Sequence, residues 1–218
     1  MALILALDAA LAGCSAALVE DGRVLAARAA QGDRGHAALL PPMVEAVLRE
    51  AGVAAAALDT VAAVVGPGGF TGIRAALALA EGLALGAGRP AIGVTTGEAL
   101  AAALPLGPRT IWAALDNRRG RVMLERFPPG SLRAEGPPEV VTEAELPRPD
   151  HPVALVGDAA PAVAARLAAR GVDALLSEAR LPSAIAAARV AALRLDGALP
   201  SLAARPLYVE PPAVRRPG

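Results

Sequence analysis

The chain of 218 residues contains no lysine; all of its positive side chains are arginine. A phosphate loop ending in Gly-Lys-Ser/Thr therefore has no side chain to reach the outer phosphates. Aromatic residues make up only 2% of the chain (Phe70, Trp112, Phe127 and Tyr208), too few for a surface on which bases stack. A single cysteine, Cys14, excludes an internal disulfide and a cysteine zinc site. The two histidines, His36 and His151, lie far apart, so no His-x-x-x-His pair offers a metal grip within one helical turn. Net charge is zero, which gives no global basic field for a nucleic-acid backbone. The apolar stretch between Arg74 and Arg89 is broken by Glu81 and reads as too short to span a bilayer. Leu11-Ala12-Gly13-Cys14 has the form of a lipoprotein cleavage box. No Arg or Lys precedes it, however, and Asp8 interrupts the short apolar segment, whereas an export signal needs a positive start and an apolar core. A soluble, cytoplasmic protein is expected, with Cys14 a small buried hydrophobe.

What is present is a regular succession of apolar runs and turn signals, in a chain that is 55% hydrophobic. A chain of this size buries about 70% of its unfolded surface. Residues 2–8 read as a strand ending in Asp8. Residues 15–20 and 23–29 flank Asp21-Gly22, a strong hairpin signal. His36, Leu39, Leu40, Met43, Val44, Val47 and Leu48 recur at helical spacing, with a kink or late start expected at Pro41-Pro42. Residues 61–65 form a buried strand, followed by a helix to about Gly86. A strand over 90–94 and a helix over 96–104 come next. The pattern then repeats. Ala6-Leu7-Asp8 returns as Ala114-Leu115-Asp116, followed by a second strand over 122–127. Ala63-Val64-Val65-Gly66 returns as Ala154-Leu155-Val156-Gly157. Such self-similarity predicts a duplication: an N-terminal half over 1–104, a reduced second half over 105–205, and a surface tail over 206–218. Residues 130–152 read as an irregular loop with one short strand near Val140. A last helix runs over 183–195, with Ser183 as its N-cap.

The densest signal is Gly66-Pro67-Gly68-Gly69-Phe70-Thr71-Gly72-Ile73-Arg74, a strand–glycine turn–helix junction. Junctions of this kind aim backbone N–H groups and a positive helix end at one spot, which suits an anion. A dinucleotide fingerprint does not fit, because Thr71 holds the third glycine position and residues 84–92 contain no acid. On the helix that follows, Ala78, Gly82 and Gly86 recur every four residues. Small residues at that spacing let another helix approach closely, either from within the chain or from outside.

The nonapeptide resembles the Gly-Pro-Gly-Ser-Phe-Thr-Gly-Leu-Arg signature of the TsaB (YeaZ) family, with Gly69 for serine and Ile73 for leucine. Leu5-Ala6-Leu7-Asp8 resembles that family's opening, although Ala9 and Ala10 replace Thr-Ser. The helix from His36 to Leu48, the segment Leu115-Asp116-Asn117-Arg118-Arg119-Gly120-Arg121-Val122 and the closing Pro206-Leu207-Tyr208-Val209 are similar as well. The resemblance implies an α/β, duplicated actin/sugar-kinase-like (ASKHA) fold of two mixed-sheet halves with flanking helices. It further implies a non-catalytic subunit of the tRNA threonylcarbamoyl transferase complex. Such a subunit docks on the catalytic relative TsaD, with TsaE joining them, to support threonylcarbamoyladenosine formation beside the anticodon. It implies no intrinsic cofactor, leaving ATP and magnesium to the interface of the complex. Homodimerisation of the free protein, indirect contact with tRNA and no membrane association follow from the same likeness.

On this reading no catalytic residue and no metal site is expected. The partner or dimer surface is assigned to His36, Leu40, Met43, Thr71, Ile73, Arg74, Leu77, Ala78, Glu81 and Gly82. A vestigial nucleotide site would comprise Asp8, Gly66, Gly68, Gly69 and Asp116. The two aspartates suit either a magnesium pair across a cleft or strand-end caps of their own loops. His36 suits packing or capping better than catalysis, with no second ligand near it in sequence. Three rivals stand beside this reading. They are a nucleotide-binding enzyme of the actin/sugar-kinase superfamily acting alone, a metallopeptidase needing a triad that the chain does not visibly supply, and a generic homodimeric interaction protein.

Overall fold

The computed structural model describes residues 2–32 and 34–209. Strands β1 (Leu3–Asp8), β2 (Gly13–Glu20) and β3 (Arg23–Gln31) form an antiparallel meander. Its second turn is Asp21-Gly22, with φ of 48° and 81°. Positive φ at both central residues matches the turn to the twist of the flanking strands. Strands β4 (Thr60–Gly66) and β5 (Ala91–Thr95) add in parallel beyond β1, giving the order β3-β2-β1-β4-β5. β4 is buried along its whole length, as a central parallel strand covered on both faces should be. The two crossovers are helices α1 (His36–Ala51) and α2 (Phe70–Ala87), which pack side by side on one face of this sheet.

α1 starts at His36 and runs through Pro41 and Pro42, so the late start expected from the sequence is not found. An interior proline costs a helix about 3 kcal/mol. Here both prolines are exposed, while Leu40, Val44 and Val47 bury against the sheet, each contributing about 1.5–3 kcal/mol. α2, at 18 residues, is longer than the Arg74–Arg89 interval suggested and is apolar enough to cross a bilayer by length and composition. Ile73, Ala76, Leu77, Ala80 and Ala84 are buried on the sheet, while Phe70, Ala78 and Leu85 are exposed.

The second half repeats the plan strand for strand. β6 (Thr110–Asp116), β7 (Val122–Phe127), β8 (Glu139–Val141), β9 (Val153–Val156) and β10 (Ala174–Leu176) lie in the order β10-β9-β6-β7-β8. β6 pairs antiparallel with β7 and parallel with β9, as β1 does with β2 and β4. The copy is reduced: β9 has 4 residues against 7 in β4, and its helix α4 (Ala160–Ala168) has 9 against 18 in α2. β10 has no sequence signal, because two of its three residues, Leu175 and Leu176, are exposed at the sheet edge.

Chain order and packing part company at α5 (Ala184–Leu195). It follows the second half in sequence but lies across β1, β2 and β4 of the first sheet, on the face away from α1 and α2. Ser183 caps it, accepting from the Ala186 N–H at 3.2 Å, and Ser15 on β2 accepts from the Ala184 N–H at 2.9 Å. The short helix α3 (Thr96–Ala101) packs on α5 and on β6. One continuous core results, joining the first half to Ile111, Ala113, Leu115, Phe127 and Val156 of the second. A separate smaller cluster around Trp112, Leu155 and Val163 lies between the second sheet and α4. The proline- and arginine-rich tail falls mostly outside the described residues. The part described is tied down, with the Leu207 N–H donating to Val65 O at 2.9 Å.

Phe127 is fully buried in the core that both halves share. Phe127→Ala is expected to cost about 3–5 kcal/mol in a urea denaturation curve. A loss below about 1 kcal/mol would show that the halves do not depend on this core.

Candidate functional site

The signature nonapeptide leaves β4 and starts α2 against the loop that follows β1. Gly68 and Gly72 are required there by space. A Cβ on Gly68 would sit well under 3.0 Å from the carbonyl oxygen of Ala10, and one on Gly72 equally close to that of Ala9. Gly66 adopts φ 111° and faces Ile73 and the Leu207 carbonyl. A Cβ on Gly69 would meet only Ala10 O at 3.6 Å, which is why this position accepts serine or glycine alike. The turn is pinned from its other side by the Thr96 hydroxyl, which donates to Pro67 O at 2.7 Å.

This close approach decides the electrostatics of the helix end. The Gly69 N–H, at the start of α2, donates to Ala10 O at 2.7 Å. One of the donors that a phosphate at this helix end would use is therefore taken by the chain's own carbonyl. Asp8 lies beneath the same loop, 2% exposed, with its Oδ1 accepting from the Ala10 N–H at 3.0 Å. Burial pushes its carboxyl up to about 7, against the pull of the Ala10 bond. Burial, and then the nearby Asp8, also push the Cys14 thiol up. In the second half Asp116 does the same job: its Oδ1 accepts from the Arg118 N–H at 2.8 Å. Both aspartates thus cap the residue two positions on, the loop-capping alternative open to them in the sequence.

Between the halves lies a cleft of about 450 Å³ bounded by Ala10, Gly68, Gly69, Asp116, Arg118 and Met123. Of the vestigial nucleotide set, it gathers Gly68, Gly69 and Asp116, while Asp8 and Gly66 are buried behind its wall. Among the described residues no three of His, Cys, Asp and Glu come together as a metal set.

The ten residues assigned to a partner surface divide in two. His36, Leu40, Ile73 and Leu77 are covered by the chain itself, at 8%, 1%, 4% and 4% exposure. They occupy the inner stripe of their helices, which in sequence is continuous with the outer one. His36 Nε2 lies 2.7 Å from Gly32 O, a packing and capping role at the start of α1. Thr71, Arg74, Ala78, Glu81 and Gly82 are exposed along α2, with Met43 half-buried beside them on α1. A Cβ on Gly82 or on Gly86 would meet nothing within 4 Å, so the small-residue spacing serves no contact among the described residues.

Two residues missed in the sequence stand at the head of this face. Phe70 and Tyr208, half of the chain's aromatic residues, are 54% and 52% exposed with ring centroids 6.2 Å apart. Arg74 lies over the Phe70 ring at 3.7 Å and donates from Nε and Nη2 to the Tyr208 hydroxyl at 3.2 and 3.0 Å. Phe70 sits inside the signature and Tyr208 inside the closing motif. Nothing in sequence spacing brings the two together.

Two duplicated sheets, each a meander extended by parallel crossover strands, with a cleft between them, define an actin/sugar-kinase-like fold. Ethanolamine utilization protein EutJ from Carboxydothermus hydrogenoformans shares this fold, with a TM-score of 0.54 at 12% identity over 86% of this chain and 89% of that one. YeaZ from Pseudomonas aeruginosa superposes with a TM-score of 0.78 at 29% identity over 95% of this chain and 100% of that one. The family model for TsaD, tRNA N6-adenosine threonylcarbamoyltransferase, matches residues 24–134. The tRNA threonylcarbamoyladenosine biosynthesis protein TsaB of Escherichia coli is 40% identical over 121 residues, 55% of this chain and 52% of that protein. The chain belongs to this threonylcarbamoyltransferase family and, within it, to the TsaB (YeaZ) branch. The match spans about half the length of that curated relative.

The two kinds of glycine on α2 are expected to respond oppositely to a methyl group. Gly72→Ala forces the Ala9–Ala10 loop away and costs about 1–3 kcal/mol. Gly82→Ala, in open space within a helix, gains about 0.5–1 kcal/mol. Chemical denaturation of both variants checks this, and an equal response would contradict the close approach at Gly72.

Proposed function

We propose that this chain is a non-catalytic, TsaB-like subunit of a tRNA threonylcarbamoyl transferase complex. It docks on a TsaD-type partner and supports that partner's active arrangement during threonylcarbamoyladenosine formation. The observation that carries this reading is the close contact of the Ala9–Ala10 loop with the helix end. The Ala10 carbonyl takes one of the donors there, which favours holding a shape over gripping a phosphate. The exposed α2 face then has a use: its small residues admit a partner helix at short range, while Phe70, Arg74 and Tyr208 offer an aromatic and guanidinium anchor of the kind that dominates interfaces.

On the same reading TsaE joins the assembly, tRNA is reached through the complex rather than by this chain alone, and the α1–α2 face self-associates when no partner is present. ATP and magnesium belong to the interface with the partner, where the cleft beside Asp116 has a second wall supplied. The setting is cytoplasmic.

The test mixes the purified protein with its cognate TsaD and weighs the products by size-exclusion chromatography with light scattering, alongside Gly82→Arg. The expected result is a stoichiometric complex that Gly82→Arg abolishes while remaining folded. A complex that survives the substitution would move the interface off α2. No complex at tens of micromolar, with or without ATP, would overturn the reading.

A further inference from the structure

Four polar side chains meet in the core where the second half packs on the first, apart from the α2 face. Glu125, on β7, is 5% exposed. It alternates with Met123 and Phe127, so the three share the strand face turned toward the first half. Its carboxyl oxygens lie 2.8 and 3.0 Å from the hydroxyl of Thr95, the N-cap of α3, and it accepts the backbone N–H of Gly97. Position 97 has no room for a side chain, because a Cβ there would overlap the Glu125 carboxyl. Thr95 and Glu98 cap each other reciprocally. The Glu98 N–H donates to Thr95 Oγ1 at 2.9 Å, and the Thr95 N–H donates to Glu98 Oε2 at 2.8 Å. The other Glu98 oxygen accepts from Arg194 Nη2 on α5 at 2.6 Å, with both side chains nearly fully buried.

That leaves Arg194 Nε and Nη1, which have no partner among the described residues and no exposed surface. Buried guanidinium N–H groups without an acceptor are costly, and a side chain that moves can supply one. Glu125 is the carboxylate of this cluster not already bonded to Arg194, and a cavity of about 350 Å³ borders Thr95, Glu98, Glu125 and Arg194. The charged groups facing Glu125 are Glu98 from α3, Arg194 from α5 and Arg133 from the loop after β7. Arg126, next to it on β7, points to the other face and pairs with Glu135 and Glu139.

We propose that Glu125 is a two-position latch between the halves, resting on Thr95 and the first turn of α3 in one position and on the free nitrogens of Arg194 in the other, with the proton on its carboxyl deciding between them. Burial and then Glu98 hold the Glu125 carboxyl up to about 8. Below that pH it is neutral and sits with Thr95, whose hydroxyl both donates and accepts. Above it the carboxylate seeks the guanidinium, and the contact from β7 to α3 is released. Met123, two residues back on the same strand face, lines the cleft. The unfolded chain loses this proton near the ordinary glutamate value of 4.5 and the folded chain near 8. Folding therefore takes up a proton between those limits, and the latch weakens as pH rises through them.

The test is a residue-resolved carbon-13 carboxyl titration of Glu125, with amide exchange at Gly97 and Glu98 in the wild type, Glu125→Gln and Arg194→Lys. In the wild type the Glu125 signal is expected to titrate near pH 8, and protection of the two amides to fall at least tenfold across the same step. Glu125→Gln, fixed in the first position, keeps its protection to pH 9. Arg194→Lys keeps the charge, removes the second position, and moves both midpoints upward. A Glu125 midpoint in the ordinary carboxylate range, or the same loss of protection in Glu125→Gln, overturns the latch. These two outcomes decide the matter even if Arg194→Lys does not fold.

Discussion

The fold turns on one close approach. The carbonyls of Ala9 and Ala10, just past β1, press against the start of α2 at positions where only glycine fits. The contact sets the angle at which α2 leaves β4. It fixes which stripe of the helix meets the sheet and which faces out, and it satisfies the Gly69 donor from within. The Ala10 carbonyl carries the partial negative charge that a helix N-terminus favours, and it takes one of the donors there.

Around that contact the duplicated plan is retained where it builds the core and trimmed where it does not. Both halves keep the meander, the parallel extension and the aspartate that caps its own loop two residues on. The second half has lost strand and helix length, and its sheet packs against α3, which in turn packs on α5. The halves are thus not independent lobes: hydrophobic side chains from both enter one core. Set within that core is a line of polar side chains from Glu125 to Arg194 that is only partly satisfied. Partly satisfied buried networks have high energetic stakes.

Much of this was legible in the sequence, for physical reasons. Strand ends marked by Asp8, Asp116, Gly66 and Gly157, the Asp21-Gly22 turn and the Ser183 cap are local signals, and local signals survive folding. The nonapeptide placed the strand-to-helix junction correctly. What it could not show is that the anion seat is partly filled, since Ala9 and Ala10 reach it only through the pairing of β1 with β4. The inner and outer stripes of α2 were merged, because an alanine- and leucine-rich helix carries little contrast between its faces. β10 was invisible because an exposed three-residue edge strand has no burial pattern to read. The return of α5 to the first sheet is tertiary and leaves no trace in chain order. The latch was hidden for the same reason: Thr95, Glu125 and Arg194 are distant in sequence, and each alone looks like an ordinary surface residue.

The central claim is that the chain's own Ala10 carbonyl competes with phosphate for the helix end. Titration calorimetry of the isolated protein with magnesium ATP tests it most directly. The account predicts no heat of binding up to millimolar nucleotide, because the Gly69 donor is occupied and Asp8 is buried. Micromolar binding that Asp8→Ala or Asp116→Ala removes would contradict it, and would mean that the Ala9–Ala10 loop yields its place to a phosphate.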